Sequence, residues 1–476
     1  MKGLLVAVLS LAAASSTVLA GAHNHHQQSF ASRPVDPEGQ FPRLGACPDP
    51  HACIFPPDVS TFLPGAYFDL RVELHAYDKD RSKPTPAPYK HFKTTIRKNK
   101  GNWVDLNKFF KRKSEPKLES WKFNWTDSIE TQYASDLQNG RKPVEVAVAS
   151  RAWRKLKLTE PGTYEVKVQY GPKKSYTVQY EVVQPKKPKK KAKNVILFIS
   201  DGTNVGMITA ARALARKHTS GKYHSLLSFE DFDNLGHVIT NSVDSLLTDS
   251  ANSASSYATG HKSSVNALGV YADSSSDPFD DPKVELITEL IRRRQPKKAI
   301  GIVSTAFGQD ATPSAFISHT RQRHTAAEIT DQLLHGMRNS IGTYARAGFP
   351  GYFDKNNDGF PDNFSPKITL AAGTSNGPDH FEAWQTTTKG PRNPTVKDKN
   401  GHYIGNPNDA AGKNGAGLPW SGNLPHDHDQ GVHSMSDVFI YSNGPSSDLF
   451  KKTFENWDLF FKMAEAMDLQ RPGKDE

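Results

Sequence analysis

The stretch "LLTDSANSASSYATGHK", residues 246–262, puts an acid and a hydroxyl, Asp249 and Ser250, in front of a run of small residues. A serine hydroxyl is a weak nucleophile until a neighbour or a cation activates it. No histidine stands beside Ser250, and no G-x-S-x-G elbow surrounds it. If the small-residue run is a helix that starts at Ser250, its free N–H groups and dipole favour an incoming anion. The same position also suits a plain N-cap serine. Asp201 follows the apolar run "VILFIS", which places it at the C-terminal edge of a strand, where ligands of open α/β sheets collect. It also reads as a turn residue before Gly202. Further on, "VSTAFGQDATPSAFISHTRQR" sets Asp310, Thr312 and Arg323 after another apolar run. Asp310 alone reads as an N-cap and Arg323 alone as a surface charge.

Other stretches carry weaker chemistry. "DKNNDGFPD" spaces Asp354, Asn356, Asp358 and Asp362 as the oxygen ligands of a calcium loop, without the terminal bidentate glutamate. A calcium site and an Asn/Asp/Gly turn both remain open there. "HDHD", residues 426–429, is metal-like in composition but sits in a Gly/Pro/Asn-rich loop, which favours solvation. "GTSNG" around Ser375 matches G-x-S-x-G and His433 follows it, yet no apolar helix comes after that serine.

The elements that must position these residues divide the 476-residue chain. Residues 1–20, with Lys2, an apolar run from Leu4 to Ala14 and a Val18-Leu19-Ala20 end, read as a secretory signal. Secretion, or delivery to a vacuolar lumen, is the expected destination, with no membrane span later in the chain. Residues 21–59 read as an extended leader. In an oxidising compartment its two cysteines, Cys47 and Cys53, suit one small disulfide loop, with free thiols as the alternative. Asn124, in "NWT", is a glycosylation acceptor sequence. Residues 60–184 alternate apolar and polar residues, as in "PGAYFDLRVELHAYD", and predict half-buried strands of a small all-β sandwich-like domain. Residues 185–193, inside "QPKKPKKKAK", have the composition of a solvated Lys/Pro linker. No nucleic-acid-reading motif accompanies the net charge of +10. From 194 to 476 the pattern becomes α/β. "NVILFIS" and "KAIGIVST" read as strands covered on both faces, and "GMITAARALARK" and "VELITELIRRR" have helical spacing.

Four motifs, "FISDGTNVGM", "TDSANSASSYATGHK", "QDATPSAFISHTRQR" and "GVHSMSDVFIYSNGP", occur in the order and with the internal spacing of alkaline phosphatases. The resemblance spans nearly all of residues 194–476 apart from one gap. The long β region and the stretch from "RNSIGTYARAGF" to "NLPHDHDQGVHS" look most like a secreted fungal branch. The resemblance implies a mainly parallel sheet flanked by helices, and hydrolysis of phosphate monoesters with two Zn2+ and one Mg2+ per site. It also allows a homodimer. Ser250 would attack phosphorus to give a phosphoserine, activated by a metal rather than by a histidine. Asp201 would bridge one zinc and magnesium, with Ser250 itself a zinc ligand. Thr312 would bind magnesium, Asp310 would act near it through water, and His433 would ligate the other zinc. Arg323 would clasp two phosphate oxygens with its planar fork.

The departures are as specific as the matches. "HTRQRHTAAEITDQLLHG" runs directly into "MRNSIGTYARAGF", and near residues 335–339 the chain has no counterpart of the family's long middle segment. That segment carries the glutamate completing the magnesium site, an aspartate and histidine for one zinc, and an Asp-His pair for the other. Asp379-His380, in "GPDHFEAW", stands in a different context. The chain as written therefore keeps the nucleophile half of the site, and little or no turnover is expected from it. A skipped exon or mis-spliced gene model accounts for such a gap. The alternative is a secreted relic that binds phosphate or glycan.

Overall fold

A computed structural model of the chain describes residues 4–7, 51–78, 82–125, 144–215, 226–243, 248–277, 280–335, 352–353, 363–364, 395–397, 399, 403–405 and 436–472. The first strand, β1 (Leu4–Ala7), joins a sheet formed much later in the chain. Nine strands then build a sandwich: β2 (Ala52–Phe55), β3 (Ser60–Phe62), β4 (Tyr67–Ala76), β5 (Phe92–Lys98), β6 (Val104–Asp105), β7 (Glu119–Trp125), β8 (Val144–Lys157), β9 (Gly162–Tyr170) and β10 (Lys174–Val182). A one-turn helix, α1 (Leu106–Phe109), follows β6. One sheet has the order β3-β10-β9-β5-β6 and the other β2-β4-β8-β7. Val166, Val168, Val178 and Tyr180 from the first meet Leu70, Val72, Leu74 and Trp153 from the second in one core. Each such side chain taken from water contributes about 1.5–3 kcal/mol. The sandwich starts at Ala52, inside the stretch expected to be leader, because β2 pairs along β4 and buries all four of its residues. Cys53, in β2, is disulfide-bonded; Cys47 lies outside the described residues.

In β4 the prediction of a half-buried strand fails. The sequence Phe68-Asp69-Leu70-Arg71-Val72-Glu73-Leu74-His75 alternates as expected, yet both faces are buried. The polar face is covered because it meets opposite charges from the second domain. Arg71, with no exposed surface, sets Nε 2.9 Å from Asp273 Oδ2 and donates from Nη2 to Asp280 Oδ2 at 2.7 Å and from Nη1 to Glu119 Oε2 at 2.9 Å. Burial opposes its charge, but Asp273, Asp280, Glu73 and Glu119 outweigh that and hold its pKa above the ordinary arginine value. Glu73 accepts from the Ser274 hydroxyl at 2.7 Å and pairs with His75 at 2.8 Å. Main-chain bonds join the domains as well, from Asp69 N–H to Lys283 O at 2.8 Å and from Glu285 N–H to Tyr67 O at 3.0 Å.

The second domain contains β11 (Val195–Phe198), α2 (Val205–Ala215), β12 (Asn234–Ile239), α3 (Ser250–Thr259), α4 (Ile287–Arg294), α5 (Ala311–Ser314) and α6 (Ala326–His335). Two short antiparallel pairs come next, β13 (Tyr352–Phe353) with β14 (Asn363–Phe364), and β15 (Thr395–Lys397) with β16 (Tyr403–Gly405). Then follow β17 (Val438–Asn443), β18 (Lys452–Glu455) and α7 (Asp458–Ala466). The sheet order is β11-β1-β17-β12-β18, with β1–β11 and β12–β18 parallel and both contacts of β17 antiparallel. The domain is thus α/β around a mixed sheet. Among the described residues β11 has β1 as its one partner strand, so cleavage after Ala20 would remove that partner. Phe450, Leu459, Phe460 and Met463 pack with Ile287 and Leu290 of α4 in its main core. No helix among the described residues is long and apolar enough to cross a membrane.

Two further expectations are corrected. "KAIGIVST" forms no strand: Val303 is 100% exposed, and on β11 Ile196 and Phe198 are 48% and 45% exposed. A strand needs a neighbour to satisfy its backbone, and among the described residues none lies beside 299–304. The Lys/Pro linker is docked rather than solvated. Ala192 N–H donates to Ala466 O at 2.8 Å, Lys186 N–H to the Gln470 side chain at 2.8 Å, and Ser446 Oγ to Lys190 O at 2.5 Å. Its backbone thus finds partners at the C-terminal helix while most of its lysines face water.

His261 tests the seam between the domains. Its ring lies against Phe62 of the sandwich, centroids 4.8 Å apart, and Nδ1 meets the Tyr271 hydroxyl at 3.1 Å. Burial pushes its pKa down to about 3 from 6.5. The unfolded chain therefore binds the extra proton between those values, and stability falls as pH drops through that window. In urea titrations, the advantage of the native protein over His261→Gln is expected to shrink by about 1.4 kcal/mol per pH unit below 6.5. An advantage independent of pH would show that the imidazole is not buried neutral.

Candidate functional site

Helix α3 is capped by Asp249, not by Ser250. The Asp249 carboxylate accepts from Ala251 N–H at 3.2 Å and Asn252 N–H at 3.1 Å, and also from Asn266 N–H at 3.2 Å. This moves Ser250 into the first turn, half-buried, at the end where the dipole is positive. The run of small residues has a packing reason: Ala251, Ala254 and Ala258 are fully buried where α3 meets its neighbours. At the C-cap, Gly260 has φ 79°, and a Cβ there would lie 2.8 Å from Phe460.

The other motif residues converge on this end. Asp310 caps the short α5 by accepting from Ala311 N–H at 2.7 Å. Arg323 ties the two caps together, donating from Nη1 to Asp249 at 3.2 Å and from Nη2 to Asp310 at 2.8 Å. Its Nε is buried with no hydrogen-bond partner among the described residues. Burial opposes the Arg323 charge, but Asp249, Asp310 and Asp201 more than restore it and raise its pKa. Burial likewise pushes Asp310 up, while Arg323 and the Ala311 N–H pull it below its ordinary value. Exposed Asp201, in the turn after β11, accepts from the Thr312 hydroxyl at 2.8 Å. The structure thus brings together Asp201, Asp249, Ser250, Asp310, Thr312 and Arg323. His433, the calcium-type residues Asp354, Asn356, Asp358 and Asp362, and the Asn124 side chain lie outside the described residues; β13 and β14 flank that calcium-type loop.

Sequence reading missed what holds Arg323 in place. Arg321, two residues earlier, turns the other way and binds Asp281 at 2.8 Å and Asp273 at 2.9 Å, and Asp273 also pairs with Arg71. A bridge between Leu268 and Thr320, and a bond from Arg323 N–H to Asn266 O at 3.0 Å, fix the intervening backbone. The Arg-x-Arg spacing of "TRQR" carried no signal of this, because in extended chain residues two apart share a face; the turn that begins at Arg323 separates the two guanidinium groups. Asp273, Asp280 and Asp281 are the one set of three or more metal-type side chains clustered among the described residues, with ligand atoms within 4.8 Å of one another. Arg71 and Arg321 between them pair with all three, which makes the cluster an ion-pair core.

The site thus sets an arginine shared by two helix caps beside a serine in the first turn of a helix. The family model described as "Alkaline phosphatase" matches residues 192–346, and that described as "PhoA-like N-terminal domain" matches residues 51–183. Residues 192–346 thus match the alkaline phosphatase family, and residues 51–183 match a domain that precedes it in PhoA-like proteins. It is 36% identical over 135 residues to the tissue-nonspecific isozyme of alkaline phosphatase from Gallus gallus, covering 28% of this chain and 26% of that protein. It is 39% identical over 138 residues to alkaline phosphatase H of Pseudomonas aeruginosa (strain UCBPP-PA14), covering 28% and 27%. The chain thus spans about a quarter of the length of these relatives. Alkaline phosphatase from the Antarctic bacterium TAB5 aligns with a TM-score of 0.35 and 17% identity, over 60% of this chain and 99% of that one.

Asp249 carries two separable loads, the helix cap and the charge facing Arg323. Asparagine caps as well as aspartate but carries no charge. In urea unfolding, Asp249→Asn is expected to lose about 1 kcal/mol through the weakened pair, and Asp249→Ala about 1 kcal/mol more through the missing cap. Equal losses would show that the cap contributes nothing.

Proposed function

We propose that residues 192–346 bind phosphate monoesters and that Ser250 takes up the phosphoryl group. The observation that carries this reading is Arg323, held between the caps of α3 and α5 with an orphan Nε–H. Its carboxylate partners stand where oxyanion oxygens would bind, and a phosphate would satisfy the orphan donor. The α3 N-terminus favours negative charge on the Ser250 oxygen and on the group it acquires. In the transfer, the Ser250 Oγ–P bond forms as the ester P–O bond breaks and the alcohol leaves with a proton. Water then cleaves the phosphoserine.

The oxygen pair of Asp201 and Thr312 suits a hard divalent cation, so these two residues would hold Mg2+. That ion would supply positive charge against the phosphate oxygens. Zinc takes four ligands, commonly including imidazole or thiolate nitrogen and sulfur. The described residues do not assemble such a set. The same reading includes export, glycosylation at Asn124 and pairing of Cys47 with Cys53. Turnover well below the ordinary range, on the order of 10 per second, follows from the incomplete metal cage.

The test is to incubate the full chain with a 32P-labelled aryl phosphate at acid pH, with Mg2+ and Zn2+ present, and to map the label. Label is expected on the peptide holding Asp249-Ser250 and absent from Ser250→Ala. Label on another serine would refute the assignment. Phosphate binding without any label would support the alternative, a phosphate-binding protein that does no chemistry.

A further inference from the structure

The chain's charge is divided unevenly. Residues 51–193 hold 30 Lys and Arg against 15 Asp and Glu, a net +15; the whole chain carries +10, so the remaining residues together carry −5. Part of this excess is gathered at one corner of the sandwich, around Tyr67. The Lys155 and Lys157 ammonium groups stand 5.2 and 5.7 Å from its ring centroid, and the Arg293 guanidinium 4.7 Å. A bulge makes this arrangement. The register of β4 on β8 shifts between Phe68 and Leu70, and Lys155 takes φ 54°, which turns it toward the same ring as Lys157. A left-handed lysine is strained and persists only where its surroundings hold it. Here Asp69 holds it, accepting from Lys155 N–H at 2.8 Å and from Arg154 at 3.1 Å. Arg112 donates to the carbonyls of Arg154 and Lys155 at 2.8 and 2.9 Å, which lays exposed Lys111, Arg112 and Lys113 alongside. Burial and then the like charges of Arg293, Arg294 and Lys155 lower the pKa of Lys157, so the crowding is felt within the fold. Glu285 answers part of this charge, bound to Arg293 at 2.9 and 2.7 Å.

We propose that this corner, formed by Lys111, Arg112, Lys113, Lys155, Lys157 and Arg293, binds an acidic polysaccharide. A repeating line of carboxylates relieves the repulsion among fixed cations and gains from counterion release. Single-stranded nucleic acid is the poorer fit. Its binders offer open aromatic faces to bases, whereas Tyr67 here lies under cations, as does Trp103, with Lys167 at 4.0 Å and Arg97 at 4.5 Å. The binding is separate from the serine site and does not depend on catalysis.

The experiment measures binding of the full chain to immobilised polygalacturonate, with neutral dextran and DNA, single- and double-stranded, as parallel surfaces. Salt-sensitive binding to polygalacturonate and none to dextran is expected. Lys155→Glu with Lys157→Glu should weaken it at least about tenfold, as should Lys111→Glu with Lys113→Glu on the exposed loop, which leaves the bulge intact. Lys173→Glu with Lys174→Glu makes the same charge change at the β9–β10 turn and should weaken it less than about threefold. Failure to bind polygalacturonate, equal losses at the two places, or DNA bound as tightly as the polysaccharide would each overturn the proposal.

Discussion

A fully buried guanidinium is tolerated only if carboxylates surround it, and Arg71 obtains most of its carboxylates from another domain. This requirement welds the sandwich to the α/β domain. Asp273 and Asp280 must stay where Arg71 can reach them, and Asp273 also binds Arg321. Removing either arginine would leave buried negative charge behind, at a cost of about 3–5 kcal/mol. The sandwich is therefore not a loosely tethered module, and the Lys/Pro segment between the domains is docked as well, through backbone bonds to Ala466, Gln470 and Ser446.

The weld reaches the serine. Arg321 and Arg323 are two residues apart, one locked into the ion-pair core and the other between Asp249 and Asp310. Residues 266–268 and 320–323 are bonded across the gap, so displacement at the core must move the clasp. The α3 cap, the α5 cap and the arginine between them thus form one hydrogen-bonded unit.

Local chemistry was legible in the sequence wherever it was carried by short motifs. Asp201, Ser250, Asp310, Thr312 and Arg323, picked out by those motifs, lie together in the fold, and the two-period and 3.6-period patterns separated a β domain from an α/β domain. What was not legible depended on partners distant in the chain. Asp69, Arg71, Glu73 and His75 alternate with apolar residues like any solvent-facing set, and the pattern cannot say that residues 273–285 will cover them. "KAIGIVST" has the composition of a central strand, but composition does not provide the neighbour that would pair with it. Asp249 and Ser250 are equally good caps by type, and the choice between them follows from the bond Asp249 also accepts from Asn266.

Through the buried arginine cluster the sandwich domain holds Arg323 between the caps of α3 and α5. Amide hydrogen exchange of the native protein and of Arg71→Met, compared over residues 266–283 and 318–324, measures this directly. Faster exchange in both segments, with α7 unchanged, is the expected result. Exchange confined to β4 and its sandwich neighbours, with 318–324 as protected as in the native protein, would contradict it.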